Sequence, residues 1–289
     1  MFISNQQLTK AQLIDTEGLR AACVVKDGNT IPIYPHILAQ KRADTSNYLY
    51  YKNQRLLGFL SLYYFYHDAC ELALMVAPDV RHQGIAHALL KAAWPLIALK
   101  QFARVYISVS QSANHAWLAQ KGFVYHKSEY EMQWQGTRSL DKPACDLVIR
   151  PALRDDQDDL VAIDNACFNS NPVETRQRLQ TILHDPEYTV LIAFKEGVPV
   201  AKAHIHLSKS HARLLDIAVA PQYQRRGYGG TLIAFCVSRM RAADSVVLDV
   251  EATNIRALDL YRKLGFEIRN ATDYWTISMK QLRHLVGAC

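Results

Sequence analysis

Residues 219–233 read VAPQYQRRGYGGTLI, and residues 76–90 read VAPDVRHQGIAHALL. Both open with Val-Ala-Pro, and Gly227 answers Gly84 at an offset of 143 residues. The same offset carries Gly122-Phe123 onto Gly265-Phe266. Two blocks at one constant spacing make an internal repeat, so the chain reads as two diverged copies of one unit. Its 289 residues suit two domains of about 140 residues, each large enough to bury a core. The junction reads QGTRSLDKPACD from Gln135 to Asp146, polar, with Gly and Pro and no period. Domains over 1–135 and 147–289 are therefore expected, with a linker over 136–146.

Strand and helix signals alternate in each copy. In the second, DLVIRP (146–151) reads as a strand ending at proline. RDDQDDLVAIDNACF (154–168) reads as a helix with acids at its start and apolar residues three and four apart. YTVLIAF (188–194), VPVAKAHIHL (198–207) and ARLLDIAV (212–219) are β-branched or alternating strands. A helix over 227–241, the strand SVVLDVEA (245–252), a helix over 255–264 and the strand YWTISMK (274–280) follow. The first copy repeats the later part of this order, with strands in NYLYY, LLGFLSLYYF and ELALMV. A helix over 84–100, the strand RVYISV and a short helix before Gly122 complete it, and the helices before residue 47 are poorly defined. The mixture indicates an α+β or α/β class.

Composition narrows the function classes. Hydrophobic residues at 49% and charged residues at 21% describe an ordinary globular chain and exclude a disordered one. No stretch approaches the ~18 apolar residues of a membrane helix, and MFISNQQLTK lacks the basic-then-apolar pattern of a secretory signal. A cytoplasmic protein without a membrane partner is expected. The six cysteines form no Cys-x-x-Cys pair, which fits reduced thiols better than disulfides or zinc. The net charge of +6 is spread along the chain with no Lys/Arg run and no nucleic-acid motif. A phosphorylated small ligand therefore fits it better than nucleic acid.

The repeated block has a chemistry of its own. Gln224-Arg225-Arg226-Gly227-Tyr228-Gly229 lies between a strand and a helix. The first turn of a helix has backbone N–H groups without intrahelical partners, and the helix dipole adds positive potential there. Glycines in such a loop let a pyrophosphate approach the backbone, and Arg225 and Arg226 add charge that suits a further phosphate. A dinucleotide-binding fingerprint needs a third glycine and a later acid at set spacings, and this stretch supplies neither in that unit.

Residues 147–280 resemble the GNAT acetyltransferase superfamily, particularly its protein N-terminal amine acetyltransferases, through DIAVAPQYQRRGYGGTLI and LDVEATNIRALDLYRKLGFE. The first copy resembles the same family through LMVAPDVRHQGIAHALL and QKGF. The resemblance implies an α+β chain of two tandem GNAT domains, each a mixed, mostly antiparallel sheet flanked by helices. It implies an acetyl-CoA-dependent N-acetyltransferase. In that family the strands ending at Val219 and near Val250 part, and the pantetheine arm bonds to backbone at Ile217, Ala218 and Val219. The pyrophosphate then sits on the loop from Gln224 to Gly230, that is Gln224, Arg225, Arg226, Gly227, Tyr228, Gly229 and Gly230.

Acetyl transfer to an amine needs a neutral amine, a stabilised oxyanion and a proton for the leaving thiolate. Amines of pKa ~8 to ~10 are mostly protonated at neutral pH, so a base or a water path to one is useful. By resemblance the Val219 N–H is the oxyanion donor and Tyr261 is the acid that protonates the thiolate. Asp249 and Glu251 alternate on one strand and so share a face. A family glutamate occupies the position of Asp249 and works through water, and here the side chain is one methylene shorter. Asn254 resembles the asparagine that holds the pantetheine arm, and it also suits a helix N-cap. His204 and His206 form His-x-His on a strand with His211 nearby, but no further ligand cluster accompanies them, so a place in the acceptor pocket is expected and no metal.

In the first copy the offset maps Tyr261 to Leu118, Asp249 to Tyr106, Glu251 to Ser108 and Asn254 to Gln111. The acid and both bases are missing, while the cradle survives as Val76, Arg81, His82, Gln83, Gly84, Ile85 and Ala86. Glu71 is either a base, as in some family members, or a surface glutamate. The first domain is expected to bind acetyl-CoA weakly or structurally and to shape the acceptor site. The acceptor suggested by the resemblance is a protein or peptide amine. Small amines stay open, among them an aminoglycoside, an aminosugar, or the sugar-linked cysteine amine acetylated by mycothiol synthase, another tandem protein. A non-catalytic acyl-CoA-binding scaffold is the alternative of another class.

Overall fold

The computed structural model describes residues 1–28, 31–65, 68–110, 115–136, 146–168, 171–208, 211–240 and 242–288. They form two compact units, one of Met1–Glu129 with Asn270–Cys289 and one of Tyr130–Arg269. Unit 1 runs through β1 (Phe2–Asn5), α1 (Lys10–Asp27), α2 (Pro35–Leu38), β2 (Asn47–Lys52), β3 (Arg55–Tyr63) and β4 (Ala69–Val76). It continues through α3 (Ile85–Leu99), β5 (Arg104–Ser110), α4 (His115–Gln120) and the first part of β6 (Val124–Trp134). Unit 2 takes the end of β6, then β7 (Val148–Pro151), α5 (Gln157–Phe168), α6 (Pro172–Ile182), β8 (Tyr188–Lys195) and β9 (Val198–Ser208). It goes on through β10 (His211–Val219), α7 (Tyr228–Arg239), β11 (Ser245–Glu251), α8 (Ile255–Lys263) and the start of β12 (Phe266–Ser278). The end of β12 and α9 (Met279–Leu285) belong to unit 1.

The strand order is β1-β2-β3-β4-β5-β12-β6 in unit 1 and β7-β8-β9-β10-β11-β6-β12 in unit 2. In each unit the early pairs are antiparallel, and the pairs β4–β5 and β10–β11 are parallel. Among the described residues the parallel pairing ends at Ala73/Ser108 in unit 1 and at Leu214/Leu248 in unit 2. Because β4 continues to Val76 and β10 to Val219, each pair parts into a gap. The α+β architecture of mixed, mostly antiparallel sheets with helical cover is the one the sequence implies.

The helices form where local chemistry starts them and an apolar face ends up buried. Thr9 and Gln12 close a capping box at α1, and Ser278 and Gln281 close another at α9. Leu19 and Cys23 from α1, Leu89, Leu90, Ala93 and Ile97 from α3, and Leu282 from α9 fill the core of unit 1 with Phe59, Leu60 and Leu62 of β3. In unit 2, Leu232, Ile233, Cys236 and Val237 of α7 recur at helical spacing and pack on Ala201, Ala203, Leu214 and Leu248. Each such fully buried leucine or isoleucine contributes about 1.5–3 kcal/mol over an exposed one.

The division in space is not the contiguous one that the sequence suggests. The chain passes into unit 2 within β6 and returns within β12, so the expected boundary at 135 and 147 falls inside unit 2. Most of the expected linker, residues 137–145, lies outside the described residues, as does Arg241 at the expected end of a helix. The last strand begins at Phe266, eight residues earlier than its β-branched signal, because it spans both units. Helices α1, α6 and α9 also go beyond what the hydrophobic period showed.

Candidate active site

Ala220 N–H donates to the Val200 carbonyl at 2.9 Å, which anchors the end of β10 to β9. Alternation along an antiparallel edge then turns the Val219 N–H toward the gap beside β11. The Val219 carbonyl accepts from Gln224 Nε2 at 3.0 Å and from Cys167 Sγ at 3.3 Å. Gln224 therefore ties the loop back to the strand. Beyond it the loop turns with Arg225 at φ 62° and Gly227 at φ 83°, both left-handed. Arg226 lies over the Tyr223 ring at 5.6 Å, and the whole stretch from Gln224 to Gly227 is exposed.

How α7 begins matters for ligand chemistry. Helices α1, α8 and α9 are capped by the side chains of Thr9, Asn254 and Ser278. α7 starts from Gly227 with no side-chain cap, so its first N–H groups face the loop. A Cβ placed on Gly229 would meet Leu260 at 3.5 Å and Val219 at 3.7 Å, ordinary contact distances. Internal packing does not demand glycine at this position. Uncapped donors, a positive dipole end and exposed arginines fit a pyrophosphate.

Tyr261 is buried on α8 against Phe266, with ring centroids 6.0 Å apart. Burial pushes its hydroxyl up to about 12, so it stays protonated through the neutral range. Asn254 caps α8 by accepting from Ala257 N–H at 3.1 Å. Asp249 and Glu251 are both exposed on one face of β11, while Leu248 and Val250 point to the core. Asp249 Oδ2 is engaged by Arg213 Nη1, and Arg213 Nη2 reaches Glu131 at 2.6 Å. Sequence reasoning missed Arg213 and Glu131, because Glu131 sits before the expected linker on a strand that the fold delivers to unit 2.

The histidines go to different places. His206 Nε2 is 3.1 Å from Glu187, and His211 Nδ1 is 2.8 Å from the Ser245 hydroxyl. His204 is 1% exposed, with Nδ1 3.3 Å from Asp216 and Nε2 3.3 Å from Lys202 Nζ. Burial lowers the His204 ring and the Lys202 ammonium alike. Burial alone raises Asp216, but the bond from His204 and the charges of Lys202 and Arg178 outweigh it and hold the carboxyl well below its usual range. Among the described residues no group of three or more His, Cys, Asp or Glu side chains gathers as metal ligands do.

From the last residue of the strand through the loop, unit 1 repeats the backbone of this site. Ala77 N–H donates to Leu57 at 2.9 Å, and His82 and Gly84 take φ 63° and 81°. Arg81 Nε and Cys23 Sγ bond the Val76 carbonyl at 3.2 and 3.7 Å, and α3 starts from an uncapped Gly84. Arg81, unlike Gln224, is also held by a two-point ion pair with Asp27 at 2.8 and 2.7 Å. Gln83 is exposed and Ala86 half-buried along the same loop. Leu118 is buried where the acid would stand, and Gln111 lies outside the described residues. Glu71 is no surface residue: it is 2% exposed, and burial, with Glu129 nearby, pushes its carboxyl up to about 7.

The description "Acetyltransferase (GNAT) family" matches residues 157–266, and "Acetyltransferase (GNAT) domain" matches residues 44–127, together more than half of the chain. The chain belongs to the GNAT acetyltransferase family. This GNAT protein is an acetyltransferase with two tandem GNAT domains, and acetyl-CoA is its acetyl donor. It is 28% identical over 282 residues to the mycothiol acetyltransferase of Mycolicibacterium smegmatis, covering 90% of this chain and 94% of that protein. It is 32% identical over 93 residues to N-alpha-acetyltransferase 30 of Dictyostelium discoideum, covering 31% of this chain and 50% of that one. A GCN5-related N-acetyltransferase from Sphaerobacter thermophilus shares the fold at a TM-score of 0.76 and 17% identity, over 96% of each chain. Among the described residues no helix is long and apolar enough to cross a membrane.

Proposed function

We propose that unit 2 of this GNAT enzyme acetylates the primary amine of a small molecule, of the kind a mycothiol acetyltransferase takes: a cysteine amine carried on a sugar. The likeness that carries this reading runs the length of both chains, whereas the likeness to the protein N-terminal enzyme covers less than a third of this one. A protein or peptide amine, which the motif segments alone suggest, thus has the shorter support.

The residues divide the work as follows. The uncapped start of α7, with Gln224, Arg225, Arg226, Gly227, Tyr228, Gly229 and Gly230, holds the donor's pyrophosphate. Backbone at Ile217, Ala218 and Val219 takes the pantetheine arm, and Asn254 braces the entry of α8 beside it. The Val219 N–H donates to the carbonyl oxygen as negative charge gathers there. The amine nitrogen forms the new C–N bond as the C–S bond breaks. Tyr261 gives its proton to the departing sulfur, and the amine's proton leaves through water toward Asp249 or Glu251. Unit 1 keeps the cradle at Val76, Arg81, Gln83, Gly84 and Ala86 but lacks the acid, and it binds acetyl-CoA weakly or as a structural ligand.

A panel of cysteinyl sugars, aminosugars and N-terminal peptides, scored by CoA release, tests the acceptor. Turnover on cysteinyl sugars at least about tenfold above peptides is expected, a difference of ~1.4 kcal/mol in transition-state binding. Preference for peptides would overturn the acceptor assignment, and no turnover on any amine would favour the scaffold reading.

A further inference from the structure

Asp216 stands at φ 47°, a left-handed conformation that an aspartate enters at a cost. It lies in a bulge: β10 pairs regularly with β9 up to Leu215/His204 and resumes at Ala218/Lys202, so Asp216 and Ile217 together face Ala203. Pairing with β11 has already ended at Leu214/Leu248, so the bulge sits where the strand leaves its neighbour. Opening a gap does not itself require such a bulge. Unit 1 opens its gap while β3 and β4 stay in continuous register from Gly58/Val76 to Tyr63/Glu71.

A closed set of charges surrounds the bulge. The Asp216 carboxylate collects Arg178 Nη1 at 2.5 Å, His204 Nδ1 at 3.3 Å and Lys202 Nζ at 4.0 Å. Beneath it Lys202 meets Asp164 at 2.5 Å with both side chains fully buried, and Arg178 Nη2 reaches Asp164 at 3.2 Å. Two cations, two carboxylates and a histidine balance one another. Burying them is costly, and well-packed apolar residues often serve stability as well or better. Unit 1 carries such a residue: Phe59, fully buried, faces Met75 as Lys202 faces Ala218.

The same helix grips both ends of the segment. Asp164 and Cys167 lie one turn apart on α5; the first holds Lys202 beneath Asp216, and the second donates to the Val219 carbonyl at 3.3 Å. We propose that Asp164, Lys202, Arg178 and His204 are positioning residues that hold Asp216 in its left-handed turn and thereby aim the backbone of residues 217–219. This rests on the reading that those residues hold the donor and its developing oxyanion. The network explains why unit 2 keeps buried charge where unit 1 has a phenylalanine.

Amide hydrogen exchange across 216–219 in the full chain, paired with calorimetric acetyl-CoA titration, tests it. The double substitution Asp164→Leu/Lys202→Met removes the buried pair without leaving a lone charge. Its exchange at 216–219 is expected to rise about tenfold through easier local opening, with the rest of unit 2 unchanged and acetyl-CoA affinity reduced severalfold. Arg178→Gln, half exposed and free of any core packing change, is expected to show the same change at smaller size. Wild-type exchange and affinity in either folded variant would overturn the proposal. If wild-type protein turns over no amine, the proposed function fails, while the exchange comparison still decides this inference.

Discussion

Unit 1 and unit 2 hold the same loop with the same backbone, and they differ in what surrounds it. His82 and Gly84 match Arg225 and Gly227 within a few degrees of φ, and both loops feed helices without side-chain caps. Around them, unit 2 sets Tyr261, Asp249 and a charged floor, where unit 1 sets Leu118, Tyr106 and Phe59. The backbone of the loop is the same in both units despite different side chains. The candidate acid and bases are particular side chains, and unit 1 does not keep them.

The largest expected effect tests the chemistry of unit 2. Tyr261→Phe is expected to lower kcat about 100-fold or more, with acetyl-CoA affinity unchanged, in steady-state turnover and calorimetry. Unchanged kcat would leave the two units chemically alike. Next come matched loop substitutions at the two left-handed glycines. Gly227→Val is expected to raise the KM for acetyl-CoA at least about tenfold, whereas Gly84→Val leaves turnover within about twofold. Equal losses from both would show two working cradles.

Stability against pH separates the units again. Glu71 carries a folded pKa raised to about 7 from 4.5, so its contribution is full below about 4.5 and is lost as pH rises through 7. His204 is lowered by burial from 6.5, so it contributes stability above that value and loses it as pH falls. Glu71→Gln is therefore expected to stabilise unit 1 at pH 8 by up to about 3 kcal/mol and to flatten its alkaline loss, as read in denaturant melts. The smallest effect concerns Arg213. Arg213→Met removes the cation that Asp249 and Glu131 share, and it is expected to lower kcat by about two- to fivefold in steady-state turnover.

Local features were legible in the sequence, and pairings across long separations were not. The turn of the loop was legible because Gly227 sets it through its own backbone, and the helix of Tyr261 because it stands in a recognisable segment. The capping boxes Thr9–Gln12 and Ser278–Gln281 were readable signals of α1 and α9, although the hydrophobic period did not show them. Lys202 stands as a lone cation in an apolar strand, and nothing local points to its partner Asp164, which lies on a helix far back in the chain. Glu131 looked like part of the first copy, since nothing local says that β6 crosses into unit 2.

That crossing sets the order in which the protein can be made. The core of unit 1 includes Trp275, Ile277, Leu282 and Val286, which follow the whole of unit 2 in the chain. Unit 1 thus waits for the segment from Asn270 onward before its sheet and core are complete, and it cannot fold ahead of unit 2 as a domain of its own. Unit 2, whose residues are contiguous from Tyr130 to Arg269, is the one that can finish first. Cutting the gene at the repeat boundary would yield two fragments that each lack a strand.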